Sequence, residues 1–576
     1  MSTLRPLLLA LLLAFPFAFQ TAGHAAPAAK AAPVADAILA AMSLEDKIGQ
    51  MFCVYFPGSG LSGELAAMIR DARIGGVIYY SAAGNIVDNR QTADLSAAIQ
   101  AEAAKTPSGV GLFIGVDQEG GPVARFTRHF TVMPSNMAVA ATGDPKYAAL
   151  AASVTARELA ALGVNLNFAP VADVNSNPQN PIIGIRSFGD DPRAVGRFTA
   201  AAVRAYKQNG MLCTPKHFPG HGDAGVDSHL GLPLVDRGAD ALWAVDFPPF
   251  AAAFAAGADA VMTAHVELPA IDPASGTPAT LSAPVLQGLL RRDMGFDGLI
   301  FTDSMGMGAL TRHFGVEEAA VRAVQAGADI LLYGADRDAK PDDQRRAISA
   351  VLAAVREGTI PAGRIEDSAR RILRVKEAYG LLRAMDIPAP PKNPDAFTAT
   401  PAHERAALTI ALKSVTLVKN EGGLLPLSPK KPTLVVRPRR DRPQADAAAE
   451  AAIAGWPNIQ LTVVSQDPSP AEIALAIARF PQAENIVILT YDALRRPGQA
   501  ALVRAFLEKR PGRVVVAATG APYDLTLFQN APVLVCAYGD VPVSLRALGQ
   551  TLFGRRSMTG SLPLALGALT NKNSKK

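Results

Sequence analysis

Between Met51 and Gly334 the chain repeats one pattern eight times: a short, nearly continuous apolar run, then a segment with helical character. The first four runs are MFCVYF (Met51 to Phe56), GVIYY (Gly76 to Tyr80), LFIGVD (Leu112 to Asp117) and VNLNFAP (Val164 to Pro170). LCTPKHF (Leu212 to Phe218), AVMTAHV (Ala260 to Val266), LIFTDS (Leu299 to Ser304) and ADILLYG (Ala328 to Gly334) complete the set. Strands that are apolar throughout are buried on both faces, which in an alternating chain means a parallel sheet covered by helices. Eight such units predict an α/β fold, a (β/α)8 TIM-like barrel whose strands all end at one mouth. Polar residues gather at those ends: Asp117, Asp173, Lys216 with His217, His265 and Asp303. Side chains remote in sequence should converge there.

The barrel is expected over residues 35–383, and the Pro-rich stretch IPAPPKNPDAF (Ile387 to Phe397) reads as a linker or wrapping segment within 384–402. A second alternating region follows. SVTLVKN (Ser414 to Asn420), TLVVR (Thr433 to Arg437), NIVILTY (Asn485 to Tyr491), VVVAAT (Val514 to Thr519) and VLVCAY (Val533 to Tyr538) read as its strands. With helices such as QAALVRAFLEKR (Gln499 to Arg510), they predict a smaller α/β sandwich domain over 403–567.

Arg5, the apolar run Leu7 to Phe19 and the small residues after it have the layout of a secretory signal, with cleavage near Ala25 and a signal peptide over 1–25. Periplasmic or secreted location is the expectation. The run is short for a membrane span, so no stable anchor is expected. Cys53, Cys213 and Cys536 form no zinc spacing and no even set for disulfides, and read as buried small hydrophobes. The net charge of +5 is small for 576 residues, and RPRRDR (Arg437 to Arg442) reads as a solvated loop, so nucleic acid is not an expected partner.

The densest chemistry lies in KHFPGHGDAGVDSH (Lys216 to His229), which holds three of the eight histidines together with Asp223 and Asp227. Its Pro and Gly residues disfavour a helix and favour a shaped loop. Three readings stay open on the residues alone. The His and Asp side chains could ligate a divalent metal. Asp227 could fix and polarise His229 as a general acid and base. The loop could also be purely structural. Asp303, in LIFTDSMGMGAL, is either a nucleophilic carboxylate or a helix cap. DQEGGPVARF offers Asp117 and Arg125 beside a Gly-Gly turn, and IIGIRSFGDDP offers Arg186.

DQEGGPVAR, IRSFGDDP, KHFPGHGDAGVDSH and FTDSMGMGAL, in this order and at barrel intervals, resemble glycoside hydrolase family three, specifically its bacterial β-N-acetylglucosaminidases. The resemblance implies a retaining mechanism without metal or cofactor. It implies Asp303 as nucleophile, His229 with Asp227 as the acid/base dyad, and Asp117, Arg125, Arg186, Lys216 and His217 as sugar-binding residues. His221 and Asp223 would shape the loop. Most branches of the family take the acid from the second domain; the Asp-Ser-His loop marks the branch that keeps it in the barrel.

The expectation is an exported, monomeric exo-β-N-acetylglucosaminidase that releases non-reducing GlcNAc from peptidoglycan fragments (muropeptides). A β-glucosidase or a β-N-acetylglucosaminide phosphorylase is the alternative within the family. A metal-dependent hydrolase and a non-catalytic carbohydrate-binding protein are the alternatives of other classes.

Overall fold

The structure is a computed structural model that describes residues 33–337, 339–340 and 342–567; the signal segment expected at 1–25 lies outside them. Each of the eight runs supplies one strand. These are β1 (Phe52–Val54), β2 (Gly76–Tyr79), β3 (Phe113–Val116), β4 (Leu166–Asn167), β5 (Leu212–Cys213), β6 (Ala260–Met262), β7 (Leu299–Phe301) and β8 (Leu331–Tyr333). Six pair in the order β5-β4-β3-β2-β1-β8, and β6 pairs with β7. Single parallel bridges, Phe218 to Thr263 and Phe301 to Ile330, join the two sets and close the barrel.

The barrel is filled by side chains. Phe301 on β7 meets Phe113 on β3 and Phe168 after β4, with ring centroids 6.1 and 5.8 Å away. Strands this far apart in the ring touch only through its interior. Gly115 makes room for this layer, since a Cβ there would stand 2.7 Å from the Phe168 ring. At the N-terminal end the fully buried Lys376 donates to Gln50 Oε1 (2.6 Å) and to the Gly75 carbonyl (2.9 Å).

The second domain carries β9 (Thr416–Asn420), β10 (Thr433–Pro438), β11 (Ile459–Val464), β12 (Asn485–Thr490), β13 (Val514–Ala518) and β14 (Val533–Cys536), in the order β11-β10-β12-β13-β14-β9. Only β9 runs antiparallel, against β14. Alternate residues divide between two cores: Val435, Val487, Val515 and Val535 in one, Leu434, Val436, Ile488 and Val516 in the other. β11 is the strand that the apolar runs did not reveal. It lies at a sheet edge with only Thr462 and Val464 buried, so it lacks a continuous apolar stretch.

The Pro-rich segment is strapped to the barrel. Asn89 donates to Asp395 Oδ1 (2.7 Å) and Thr398 Oγ1 (2.9 Å). The buried Glu158 accepts the Ala399 N–H and pairs with His403 Nδ1 at 2.7 Å. The two domains meet through strand ends. Arg442 Nη1 donates to the Pro122 carbonyl (3.2 Å), Ser135 Oγ to that of Tyr538 (2.5 Å), and the Tyr523 hydroxyl to that of Asn175 (3.1 Å). The three cysteines are free and buried. Among the described residues no helix is long and apolar enough to cross a membrane.

Candidate active site

Two carboxylates organise the cationic side of the barrel mouth. Lys216, three residues beyond β5, places Nζ 2.7 Å from Asp117 Oδ1 and 2.7 Å from Glu119 Oε1. Arg186 grips Glu119 with both arms of its guanidinium, Nε and Nη2 each 2.9 Å from a carboxylate oxygen. Arg125 Nη2 approaches Asp117 Oδ2 at 3.3 Å and lies over the Tyr80 ring. Burial alone would raise both carboxyls, but Lys216 with Arg125 holds Asp117 below its ordinary range, and Arg186 with Lys216 does the same to Glu119. Three cations against two carboxylates leave a rigid pocket with fixed donors and acceptors, suited to sugar hydroxyls.

Asp173 fixes the next layer. Its Oδ2 lies 2.7 Å from His217 Nδ1, and its Oδ1 accepts the backbone N–H of His217 and of His221. Arg186 Nη2 is 3.3 Å from His217 Nε2. His217 is thus held between a carboxylate at Nδ1 and a guanidinium at Nε2. His221 Nε2 pairs with Ser228 Oγ at 3.0 Å, and burial pushes its imidazole down to about 4. The histidines of the KHFPGHGD segment are thus spent on internal partners. Among the described residues no group of three His, Cys, Asp or Glu is placed to hold a metal.

Downstream, Arg237 ties the loop shut. It pairs with Asp223 at 2.7 Å and with the buried Asp246 at 2.9 Å, and donates to Ser176 Oγ. The segment between Asp223 and Arg237 is therefore an Ω-like loop with its ends joined across a salt bridge. Near its crest His229 Nδ1 lies 2.8 Å from Asp227 Oδ1, which also accepts the His229 backbone N–H. This leaves Nε2 on the outward side of a half-exposed ring. The hydrogen bond to Asp227 is the main cause that raises the imidazole; burial opposes it, and Asp303 and Asp336 add to it.

Asp303 stands two residues beyond β7. Its Oδ1 accepts the Ser304 N–H at 2.7 Å. Burial would raise the carboxyl, but His217, His265 and His229 together hold it below its ordinary range. The Ser304 carbonyl accepts from His265 Nε2 (2.9 Å), and its hydroxyl accepts the Gly334 N–H and pairs closely with Asp336. Burial pushes the Asp336 carboxyl up to about 6, with Asp303 contributing. The loop that carries Asp227 and His229 rests on the same segment: Ala309 N–H donates to the Ser228 carbonyl at 3.0 Å.

All eight residues selected from the sequence thus meet at one mouth, and the structure adds Glu119, Asp173, Arg237 and Asp336. Glu119 was legible within DQEGG, as the second carboxylate of a motif already holding Asp117. Asp173 was visible as a polar strand end. Nothing in the sequence pattern distinguished Asp336 or Arg237 from ordinary surface charges.

The match to known proteins covers both domains. Residues 43–375 match the glycosyl hydrolase family 3 N terminal domain. Beta-hexosaminidase A of Pseudoalteromonas piscicida is 32% identical over 558 residues, covering 88% of this chain and 91% of the relative. A beta-N-acetylglucosaminidase/beta-glucosidase of Cellulomonas fimi is 30% identical, covering 91% and 94%. The solved family 3 beta-N-acetylglucosaminidase from Paenibacillus sp. str. FPU-7 is 37% identical. It superposes with a TM-score of 0.85 over 91% of this chain and 99% of that one. With a closed barrel, a second α/β domain and a family match over residues 43–375, the chain belongs to glycosyl hydrolase family 3.

Proposed function

We propose that this glycoside hydrolase is an exported, monomeric, retaining exo-β-N-acetylglucosaminidase that acts on peptidoglycan fragments. The observation that carries the reading is the Asp227–His229 pair, held on a loop that is hydrogen-bonded to the segment following Asp303. The names of the relatives support GlcNAc as the glycone, and the signal-like start supports export.

In glycosylation, Asp303 attacks the anomeric carbon while His229 Nε2–H gives its proton to the departing oxygen. The C–O bond breaks, and the sugar is left as an ester of Asp303. In deglycosylation, neutral His229 takes a proton from water, whose oxygen attacks the same carbon and releases Asp303. Asp227 stays ionised and stabilises the imidazolium that each cycle restores. The environment favours an ionised Asp303 and a protonated His229 at the same pH, which is the resting state this cycle requires. Asp117, Arg125, Lys216 and His217 hold the sugar hydroxyls, and Arg186 orients them through Glu119 and His217. The second domain supplies no acid/base group.

Aryl β-GlcNAc and aryl β-glucoside, each assayed with and without phosphate, test this directly. The expectation is preference for β-GlcNAc, free GlcNAc as product in both media, and loss of turnover by at least ~10³-fold in Asp303→Ala. Sugar phosphate as the main product would replace hydrolysis by phosphorolysis. Full turnover in Asp303→Ala would remove the nucleophile.

A further inference from the structure

RPRRDR (Arg437 to Arg442) emerges from β10 at the point where the second sheet reverses its winding: β11 lies on one side of β10 and β12 on the other. Crevices at the carboxyl ends of such strands are where open α/β sheets bind ligands. Here that end faces the barrel mouth, because Arg442 Nη1 donates to Pro122, Tyr538 O accepts from Ser135, and the Tyr523 hydroxyl reaches Asn175.

The contact to Pro122 matters most. Residues 117–125 fold back on themselves, with Glu119 N–H donating to Val123 O at 2.9 Å. Asp117 and Arg125 at the base of this turn belong to the sugar pocket, and Pro122 is near its tip. Arg442 therefore stands on the outer rim of the same turn that lines the pocket.

The arginine turn is also prebuilt. Asp446 accepts the backbone N–H groups of Arg440 and Arg442 and the Arg437 guanidinium. Arg440 lies over the Tyr491 ring and pairs with Asp540 at 3.1 Å. Asp492 is taken by Arg495. Asp446, Glu450, Asp540 and Asp492 are thus each paired with an arginine of the domain, and Asp441 is exposed. Arg439 and Arg442 are exposed, and among the described residues neither has a carboxylate partner. Arg442 spends one donor on Pro122 and keeps the rest of its fork.

We infer that Arg442, with Arg439 beside it, is an aglycone subsite for a carboxylate, and that it selects glycosides whose leaving group carries an acidic peptide or acid side chain. A peptide extends ~3.5 Å per residue from its attachment point, so its carboxylates reach the rim while the GlcNAc ring occupies the pocket. The planar fork suits a carboxylate better than an ammonium would. The inference rests on the reading of the substrate as a peptidoglycan fragment.

The test measures a specificity ratio. kcat/KM is determined for a GlcNAc disaccharide with a free peptidyl carboxylate on its aglycone, and for the same compound with that carboxylate amidated. The wild type should favour the free acid, and Arg442→Ala should lower the ratio by about tenfold, with Arg442→Lys between the two. Added salt should erode the wild-type preference. A wild-type ratio of one would remove the acidic-substrate reading and this subsite together. A high wild-type ratio unchanged in Arg442→Ala and in Arg439→Ala would overturn the subsite alone. Phosphate-dependent acceleration of aryl β-GlcNAc turnover that Arg442→Ala abolishes would overturn it in favour of an acceptor anion.

Discussion

Gly308 lies against the main-chain carbonyl of His229: a Cβ built on Gly308 would stand 2.5 Å from that oxygen. With the Ala309–Ser228 hydrogen bond beside it, this close approach locks the Asp227/His229 loop to the segment that follows Asp303. A methyl group at position 308 could be placed there only if the loop moved.

Gly308→Ala should therefore push the loop outward by a few tenths of an ångström or more. Small displacements of a reacting group cost catalysis more than they cost stability. kcat should fall on the order of 10–100-fold for aryl glycosides with poor leaving groups, and less for good ones, while the melting midpoint moves little. An equal loss across a leaving-group series would argue that the loop position does not govern proton donation.

Asp227→Asn keeps an acceptor for His229 Nδ1–H but removes the charge. The hydrogen bond to Asp227 is the main cause that raises the imidazole, so its loss lowers the affinity of His229 for the proton. The acid must be protonated for glycosylation, hence the basic limb of kcat/KM should move to lower pH. An unmoved basic limb would assign that limb to another group.

Asp336→Asn addresses a carboxylate that lies across Ser304 from Asp303. Its charge supports the protonated form of His229, so the variant should lose more activity on the alkaline side than near neutrality. With its own carboxyl pushed up to about 6 by burial, the wild type should also show an inflection near that pH on the acid limb. A pH–rate comparison of the two enzymes checks both features.

Lys376→Met concerns stability. Burial lowers the Lys376 ammonium from 10.5 to about 7. Between those values the unfolded chain holds a proton that the folded chain has released, so this group makes stability rise with pH, by up to ~1.4 kcal/mol per unit. Below about 7 both states are charged and the slope vanishes. Melting midpoints from pH 6 to 9.5 should show that rise in the wild type and a flatter profile in the variant. The variant should be the weaker of the two at the alkaline end, because Gly75 O and Gln50 Oε1 lose their donor.

What the sequence determined by itself was whatever is recorded locally. Strands buried on both faces must be apolar at every position, so all eight barrel strands were visible as runs, and five of the six strands of the second domain as well. β11 escaped because an edge strand needs only part of its surface buried. The segments of the candidate site were legible because glycine, histidine and carboxylate fall together in short motifs such as KHFPGHGDAGVDSH. Tertiary structure alone decided which charges act together. Glu119 meets Arg186 across 67 residues, Ser304 meets Asp336 across 32, and Arg442 reaches Pro122 across 320. Periodicity along a chain reports how deeply a residue is buried, whereas the partner of a charge depends on where the barrel closes and how the second domain docks. The same closure resolved the His/Asp loop: Asp173 and Ser228 engage His217 and His221, and His229, paired through Nδ1 with Asp227, keeps its other nitrogen without a protein partner among the described residues.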